Sequence, residues 1–283
     1  MRERAQLFDP RQVMRRDTYE VFYYREPRPT GVEVHHHDFY EVYYLLDGQV
    51  DYWVDGKVIH MQPGDLLLIN PQELHRPIIG AEKHNYERIV LWINREFLEK
   101  TVSPDGALSQ CFSKEHANRI RPTMTARSML TARISELVQE YYGKEYAGEQ
   151  AAYGLFLQLM VQINRMAQMH EKQQSEPGQL SALVQGVLQY IGAHFVEQIT
   201  LDALAAAFYV SKYHLSHTFK KETGISIYRY ILLRRLMLAR QQLLDGESAG
   251  RVSQNCGFSD YTGFYRAFKS EYGVSPGFFS GND

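Results

Sequence analysis

Near residue 95 the apolar side chains change from short, dense β-branched and aromatic runs to a spacing of every third or fourth residue, and no single type of element satisfies both patterns. Before that point, between Tyr19 and Ile93, the runs YEVFYY, FYEVYYLL, QVDYWV, KVIHM, DLLLIN and RIVLWI are short and rich in Val, Ile, Tyr and Trp, as strands are. Asp47-Gly48 and Asp55-Gly56 fall between such runs. Because Asp-Gly supplies the positive φ of a tight hairpin, the strands on either side of each pair are expected to lie antiparallel. Short strands repeated at turn spacing point to a barrel or jelly roll. After that point SMLTARISELVQEYY and AAYGLFLQLMVQINRMAQM repeat at helical spacing, with Ala152, Leu155, Phe156, Leu159, Met160, Ile163 and Met166 in one stripe. That stripe either packs on its own barrel or forms a dimer seam through Leu155, Leu159 and Ile163; the residues leave both open.

A chain of 283 residues exceeds the usual single domain, so two cores are expected. The polar stretch EKQQSEPGQ, residues 171–179, contains Pro-Gly and reads as the linker between them. The two cysteines, Cys111 and Cys256, are too few and too far apart for a disulfide framework or a cysteine zinc site. The N-terminus lacks the apolar stretch of a signal peptide, and no segment approaches the ~20 apolar residues of a membrane span, so a cytoplasmic protein with no membrane partner is expected. Residues 181–283 hold 10 Lys+Arg against 8 Asp+Glu, leaving 21 against 25 for the rest. A balance of +2 against −4 points only weakly toward nucleic acid.

From about Leu180 the chain is helical. Thr200 is placed to cap LDALAAAF and Ser211 to cap KYHLSHTFKKET, which ends at Gly224. Two short helices joined by a tight turn make a helix-turn-helix. The pattern recurs as ESAGRVSQNC followed by DYTGFYRAFKSEY, with Ser259 as the expected cap and Gly273 as the stop. Between the units, IYRYILLRRLMLARQQLL offers an 18-residue connecting helix spanning roughly 27 Å. Leu215 and Phe219, like Phe264 and Phe268, lie one turn apart and should face the core. The opposite faces carry Lys212, Tyr213, Ser216, His217 and Lys220 in the first unit, and Tyr261, Thr262, Tyr265, Arg266 and Lys269 in the second. Such faces suit base edges and phosphates in a major groove, whereas one polar helix face alone is usually just solvated.

ITLDALAAAFYVSKYHLSHTFKKETGISIYRYILLRRLMLARQQLL followed by CGFSDYTGFYRAFKSEYGVSPGFF resembles the AraC/XylS family of transcription regulators over about residues 183–279. The resemblance implies two helix-turn-helix units reading successive major grooves of double-stranded DNA. By position it assigns base contacts to Tyr213, Ser216 and His217 and to Tyr261, Thr262, Tyr265 and Arg266; Lys212 and Lys269 suit phosphates. Ala249 and Ser253 depart from the family's usual larger aliphatic and alanine, and Gly263 has no side chain with which to meet a base.

The stretch GVEVHHHDFYEVYYLLDG holds the candidate pocket. On a strand, His35, His37 and Glu41 would share the inward face while His36 points outward, and His75 would arrive on a neighbouring strand. The spacing H-x-H-x3-E-x6-G, here His35, His37, Glu41 and Gly48, resembles the first cupin motif, and PGD…P…H resembles a looser second one. Glu73 and Leu74 stand where that second motif has a glycine-containing approach. Three readings stay open. One is a metal-free pocket hydrogen-bonding a polyhydroxy effector, another a site for a divalent transition metal on His35, His37, Glu41 and His75, and the third a set of structural histidines. Arg88 and Trp92 share strand parity and would join the effector pocket, Trp92 as an aromatic face.

The expected protein is therefore α+β. Residues 1–170 form a cupin-like β-barrel (jelly roll) with a helical dimerisation segment, 171–180 a linker, and 181–283 an all-α double helix-turn-helix DNA-binding domain. The resemblance to the AraC/XylS family implies a ligand-responsive regulator without catalytic residues, its cupin-like domain sensing a sugar or related small molecule. A homodimer is expected, with RNA polymerase as a partner if it activates. The alternatives are a cupin metalloenzyme with an appended DNA-binding module, and a constitutive DNA-binding protein with a degenerate barrel.

Overall fold

The β-branched and aromatic runs form strands β1 (Tyr19–Glu26), β2 (Tyr40–Asp47), β3 (Val50–Val54), β4 (Lys57–Met61), β5 (Leu66–Ile69), β6 (His75–Ile78) and β7 (Tyr86–Ile93) in a computed structural model. It describes residues 5–6, 13–26, 32–79, 85–103, 106–113, 117–170 and 180–279, which fall within two units divided between Gln179 and Leu180. The expected linker at 171–179 lies outside the described residues. Shorter strands β8 (Val102–Ser103), β9 (Gly106–Ala107) and β10 (Arg119–Ile120) follow. Two antiparallel sheets result, one in the order β1-β7-β2-β5-β10 and the other β4-β3-β6, with β8 and β9 as a separate ribbon.

Alternation along the strands sorts two cores. Tyr86, Val90 and Trp92 of β7 and Tyr43 and Leu45 of β2 meet Tyr52 and Val54 of β3 between the sheets. Ile89, Leu91 and Ile93, with Tyr40, Val42 and Tyr44, face the opposite way. There they pack on Leu130, Ile134 and Val138 of helix α2 (Met124–Tyr141) and on Phe156, Leu159 and Ile163 of α3 (Gly148–His170), while the short α1 (Arg95–Lys100) adds Leu98. The larger sheet is thus covered on both faces, which is why its strands read as almost unbroken apolar runs.

Two sequence expectations need correction. Asp55 (φ 41°) and Gly56 (φ 92°) do close a hairpin, pairing Val54 with Lys57. Asp47-Gly48 does not: both edges of β2 are already occupied, by β7 and β5, so β3 starts the other sheet. Gly48 (φ 101°) instead lets the chain pass Asn85, whose carbonyl oxygen would lie 2.4 Å from an added Cβ. The apolar stripe of α3 is no dimer seam either. Ala152, Phe156, Leu159, Met160, Ile163 and Met166 are buried in this chain's own core, and Leu155 packs against that core half-buried.

The second unit comprises α4 (Ala182–His194), α5 (Leu201–Ala207), α6 (Lys212–Thr223), α7 (Ile227–Leu244), α8 (Ala249–Asn255), α9 (Tyr261–Tyr272) and α10 (Pro276–Phe279). Helices α5–α6 and α8–α9 are the two helix-turn-helix pairs. Thr200, Ser211 and Ser226 cap their helices by accepting from the backbone N–H three residues on. The cap of α9 is Asp260, not Ser259: its carboxylate accepts from Gly263 N at 2.7 Å, and a negative charge suits a helix N-terminus better than a hydroxyl. An added Cβ at Gly263 would lie 3.3 Å from Asp260 Oδ2, a tight approach that the carboxylate would have to yield to by a few tenths of an ångström. In the second scaffold Ser253 is buried and Ala249 packs half-buried beside Val252, Phe264 and Phe268. Each pair turns through a left-handed residue, Tyr209 (φ 54°) in the first and Gly257 (φ 79°) in the second. Tyr209 carries its side chain into solvent, so its Cβ meets no neighbouring segment, whereas at Gly257 a Cβ would lie 2.1 Å from the carbonyl oxygen of Val196.

Candidate effector pocket and nucleic-acid interface

The histidines precede β2 rather than lying on it. Residues 32–39 have no strand pleat; they touch the three-stranded sheet through one bridge, in which His35 and His75 exchange backbone hydrogen bonds of 3.1 and 3.0 Å. The strand parity expected for His35, His36 and His37 therefore does not apply, and His36 is half-buried instead of pointing outward. His37, Glu41 and His75 are brought together and buried, with one ligand atom from each within 4.8 Å of the others. His35 is outside that group, although its ring meets the His75 ring at 4.2 Å between centroids.

Main-chain carbonyls fix each imidazole. His35 Nδ1 lies 2.8 Å from Glu33 O, His37 Nδ1 2.8 Å from Phe39 O, and His75 Nδ1 2.8 Å from Glu73 O. A carbonyl only accepts, so each Nδ1 carries a proton, and in the neutral form of a ring the lone pair is left on Nε2. Glu41 is oriented by Trp92, whose indole Nε1 donates to Oε2 at 2.9 Å across the β2–β7 register pair. Trp92 packs on Phe22 and Phe39, each at 4.7 Å between centroids, so it positions the carboxylate and is not the open aromatic face expected from the sequence.

Burial sets the charge states. It lowers the pKa of His35 to about 4. His75 is pushed well below its ordinary value by burial and then by the charges of His35 and His37. Burial alone would raise Glu41, but the close approach of His37, with help from His35 and Trp92, holds it below the usual carboxylate value. A consequence for stability follows. Between about pH 6.5 and pH 4 the unfolded chain binds protons that the folded His35 and His75 refuse, so stability is full above that window and falls as the pH drops through it. Thermal melts of the full chain at pH 7.5 and pH 5, read by tryptophan fluorescence, should show the lower Tm at pH 5. Coincident melts would refute the neutral-imidazole assignment.

Sequence reasoning missed the residues that hold the loop before His75. Glu73, noted only as a departure from the cupin pattern, accepts from Asn70 N at 2.7 Å and from Asn118 Nδ2 at 3.0 and 3.2 Å. Gln72 takes a positive φ (77°), a conformation that favours glycine, and donates its N–H to His37 O at 3.1 Å. Leu74 N donates to Asp55 Oδ1 at 3.2 Å. An Asn-x-x-Glu turn ahead of a histidine was the available signal.

Arg88 does face between the sheets but belongs to a different cluster, ~13 Å along β7 from Trp92. Its guanidinium lies 3.2 Å from Glu26 and over the rings of Tyr24 and Tyr86, at 4.8 and 4.2 Å. The Tyr43 hydroxyl donates to Tyr86 at 2.9 Å beside it.

On the helical unit, α6 buries Leu215 and Phe219, and α9 buries Phe264 and Phe268. Lys212, Tyr213 and His217 are exposed and Ser216 is half-buried; the Tyr213 and His217 rings stack at 5.8 Å. Lys212 is paired with Asp202 at 2.9 Å, which reduces its offer to a phosphate. Tyr261, Thr262, Arg266 and Lys269 are exposed on α9, and Tyr265 is half-buried.

Residues 19–188 match the family profile described as an AraC-like ligand binding domain, and residues 204–281 match a helix-turn-helix domain. The chain is similar to the HTH-type transcriptional activator RhaS of Escherichia coli O139:H28, at 23% identity over 86% of this chain and 85% of that protein. Among solved structures it resembles the C-terminal domain of AraT, a response regulator from Geobacillus stearothermophilus (30% identity, 38% of this chain and 89% of that one, TM-score 0.36). It also resembles ToxT of Vibrio cholerae bound to an unsaturated fatty acid (12% identity, 94% and 97%, TM-score 0.41).

Proposed function

We propose a function from the premise that this chain belongs to the AraC family: it is a ligand-responsive, DNA-binding transcription regulator. The observation that carries the proposal is the joining, in one chain, of a β-sandwich with a buried polar cluster to two helix-turn-helix pairs whose second helices carry matching polar faces. Duplex DNA meets those faces, and a small molecule enters the sandwich. The regulators it resembles support a regulatory role rather than catalytic turnover, and likeness to an activator supports activation, with RNA polymerase as the further partner.

The effector we favour is sugar-like. Imidazole Nε2 atoms and a carboxylate are hydrogen-bond acceptors, and vicinal hydroxyls are the donors that fit them, whereas a carboxylate-bearing effector would be repelled by Glu41. The protein acts as a homodimer by this reading, through a surface other than the buried stripe of α3. A cytoplasmic location fits a DNA partner, and no described helix is long and apolar enough to cross a membrane.

Selection of preferred sequences from a random duplex pool by the full chain, repeated with a panel of neutral sugars and scored alongside thermal shift, tests the whole reading. Enrichment of one motif, with affinity changed by one sugar that also raises Tm, is expected. Failure to enrich any motif would overturn the regulator reading, and a panel with no thermal shift would overturn the sugar.

A further inference from the structure

We infer that His37, Glu41 and His75 form a binding site for a divalent first-row transition metal in the interior of the sandwich. The inference deepens the proposal above and rests on its placing the effector there. Both His37 Nε2 and His75 Nε2 are buried with no hydrogen-bond partner, and their Nδ1–H groups are already committed to Phe39 O and Glu73 O. In the neutral rings the Nε2 lone pairs face inward. His37 Nε2 stands 3.4 Å from Glu41 Oε2, and in the neutral tautomer that contact sets one acceptor against another. Acceptors left buried without a donor carry an uncompensated desolvation cost, so three converging on one point call for a cation between them.

The spacing and the support fit a metal. Ligand atoms held at about 2.0–2.2 Å from one ion stand roughly 3 to 3.5 Å apart, the separation of His37 Nε2 and Glu41 Oε2, and small side-chain rotations close the 4.8 Å span of the set. A ligating imidazole that donates its other N–H to a carbonyl, beside a ligating carboxylate hydrogen-bonded by a neighbour, is the outer support that metal sites use. Here Phe39 O, Glu73 O and the Trp92 indole supply it. Two imidazoles and one carboxylate favour zinc, nickel, iron or manganese over calcium or magnesium, and leave coordination positions open. Two vicinal hydroxyls of an effector would fill them, so that with the metal bound the effector meets this cluster through the ion and no longer through the imidazole lone pairs.

The competing state is an ion pair in which His37 carries a second proton and Glu41 accepts it, with no metal. The full chain, expressed without a histidine tag, separates the two. Elemental analysis of the purified protein should give about one equivalent of metal. Protein stripped with a chelator should regain it from Zn²⁺, Ni²⁺ or Mn²⁺ added singly, with a rise in Tm of several degrees at saturation. Glu41→Gln keeps the size of the side chain and an acceptor for Trp92, and should lower bound metal at least tenfold; His75→Ala should do the same. If His75→Ala fails to melt cooperatively, Glu41→Gln decides alone. No metal as purified and no uptake of any of the three ions would overturn the site in favour of the ion pair, as would uptake undiminished in Glu41→Gln. Selection of DNA sequences by the stripped protein is scored separately, so loss of the metal reading is distinguishable from loss of the regulator reading.

Discussion

Replacing Phe156 by alanine is expected to destabilise the N-terminal unit by about 3–5 kcal/mol, a large share of the ~5–15 kcal/mol that holds a typical domain together. Phe156 is fully buried, stacks on Tyr19 of β1 at 4.3 Å with the ring planes 6° apart, and meets Phe97 at 5.9 Å. Truncation leaves a cavity where α3 is fastened to the larger sheet, in a layer that also contains Leu91, Ile134 and Ile163 and has little room to collapse. Both tryptophans, Trp53 and Trp92, are in this unit, so denaturant unfolding of the full chain followed by tryptophan fluorescence reports it without interference from the helical unit. Tyr153→Ala, on the exposed side of the same helix, should cost under ~1 kcal/mol. The opposite pattern, an unchanged midpoint for Phe156→Ala with weakened self-association, would restore the stripe as a dimer seam.

That contrast shows what periodicity conveys. A 3.6-residue period states that one helix face is apolar but not what covers it, and a sheet of the same chain competes with a second copy for that face. The β runs were legible for a related reason: β2 and β7 are covered on both sides, so nearly every residue is apolar or aromatic and the strands announce themselves. Partnership between strands was not legible. Asp47-Gly48 and Asp55-Gly56 are chemically the same turn, and only the occupied edges of β2 distinguish them. The helix-turn-helix pairs read most directly, since caps, turns and buried Leu/Phe positions are all local; the exception, Ser259 against Asp260, is a contest between adjacent acceptors. In the pocket, spacing brought His37, Glu41 and His75 to one place for the wrong geometric reason. The segment before β2 is irregular, and carbonyls of Glu33, Phe39 and Glu73, invisible as side-chain signals, aim the rings.

Arg266→Ala is expected to weaken specific DNA binding by about 1–3 kcal/mol and to relax the preference at one base pair, because a guanidinium bonds guanine O6 and N7 through two parallel donors. Arg266 is exposed on α9, one turn after Thr262 and one turn before Lys269, on the side opposite the buried Phe264 and Phe268. Lys269 sits in the last turn, where a flexible ammonium meets backbone phosphate more readily than a base edge. Lys269→Ala should therefore weaken all sequences alike and lower the salt slope by roughly one. Lys212→Ala should do less, since its ammonium is already engaged by Asp202. The 18-residue α7 spans roughly 27 Å, and with the width of the flanking pairs this length allows one chain to reach two successive major grooves about 34 Å apart, which is the expected arrangement. Footprinting and competition with mutated duplexes, using the full chain at two salt concentrations, measure these quantities together. Protection confined to one groove would remove the two-groove arrangement. An Arg266→Ala protein that keeps its sequence preference while losing affinity uniformly would make Arg266 a phosphate contact and leave base reading by α9 to Tyr261, Thr262 and Tyr265.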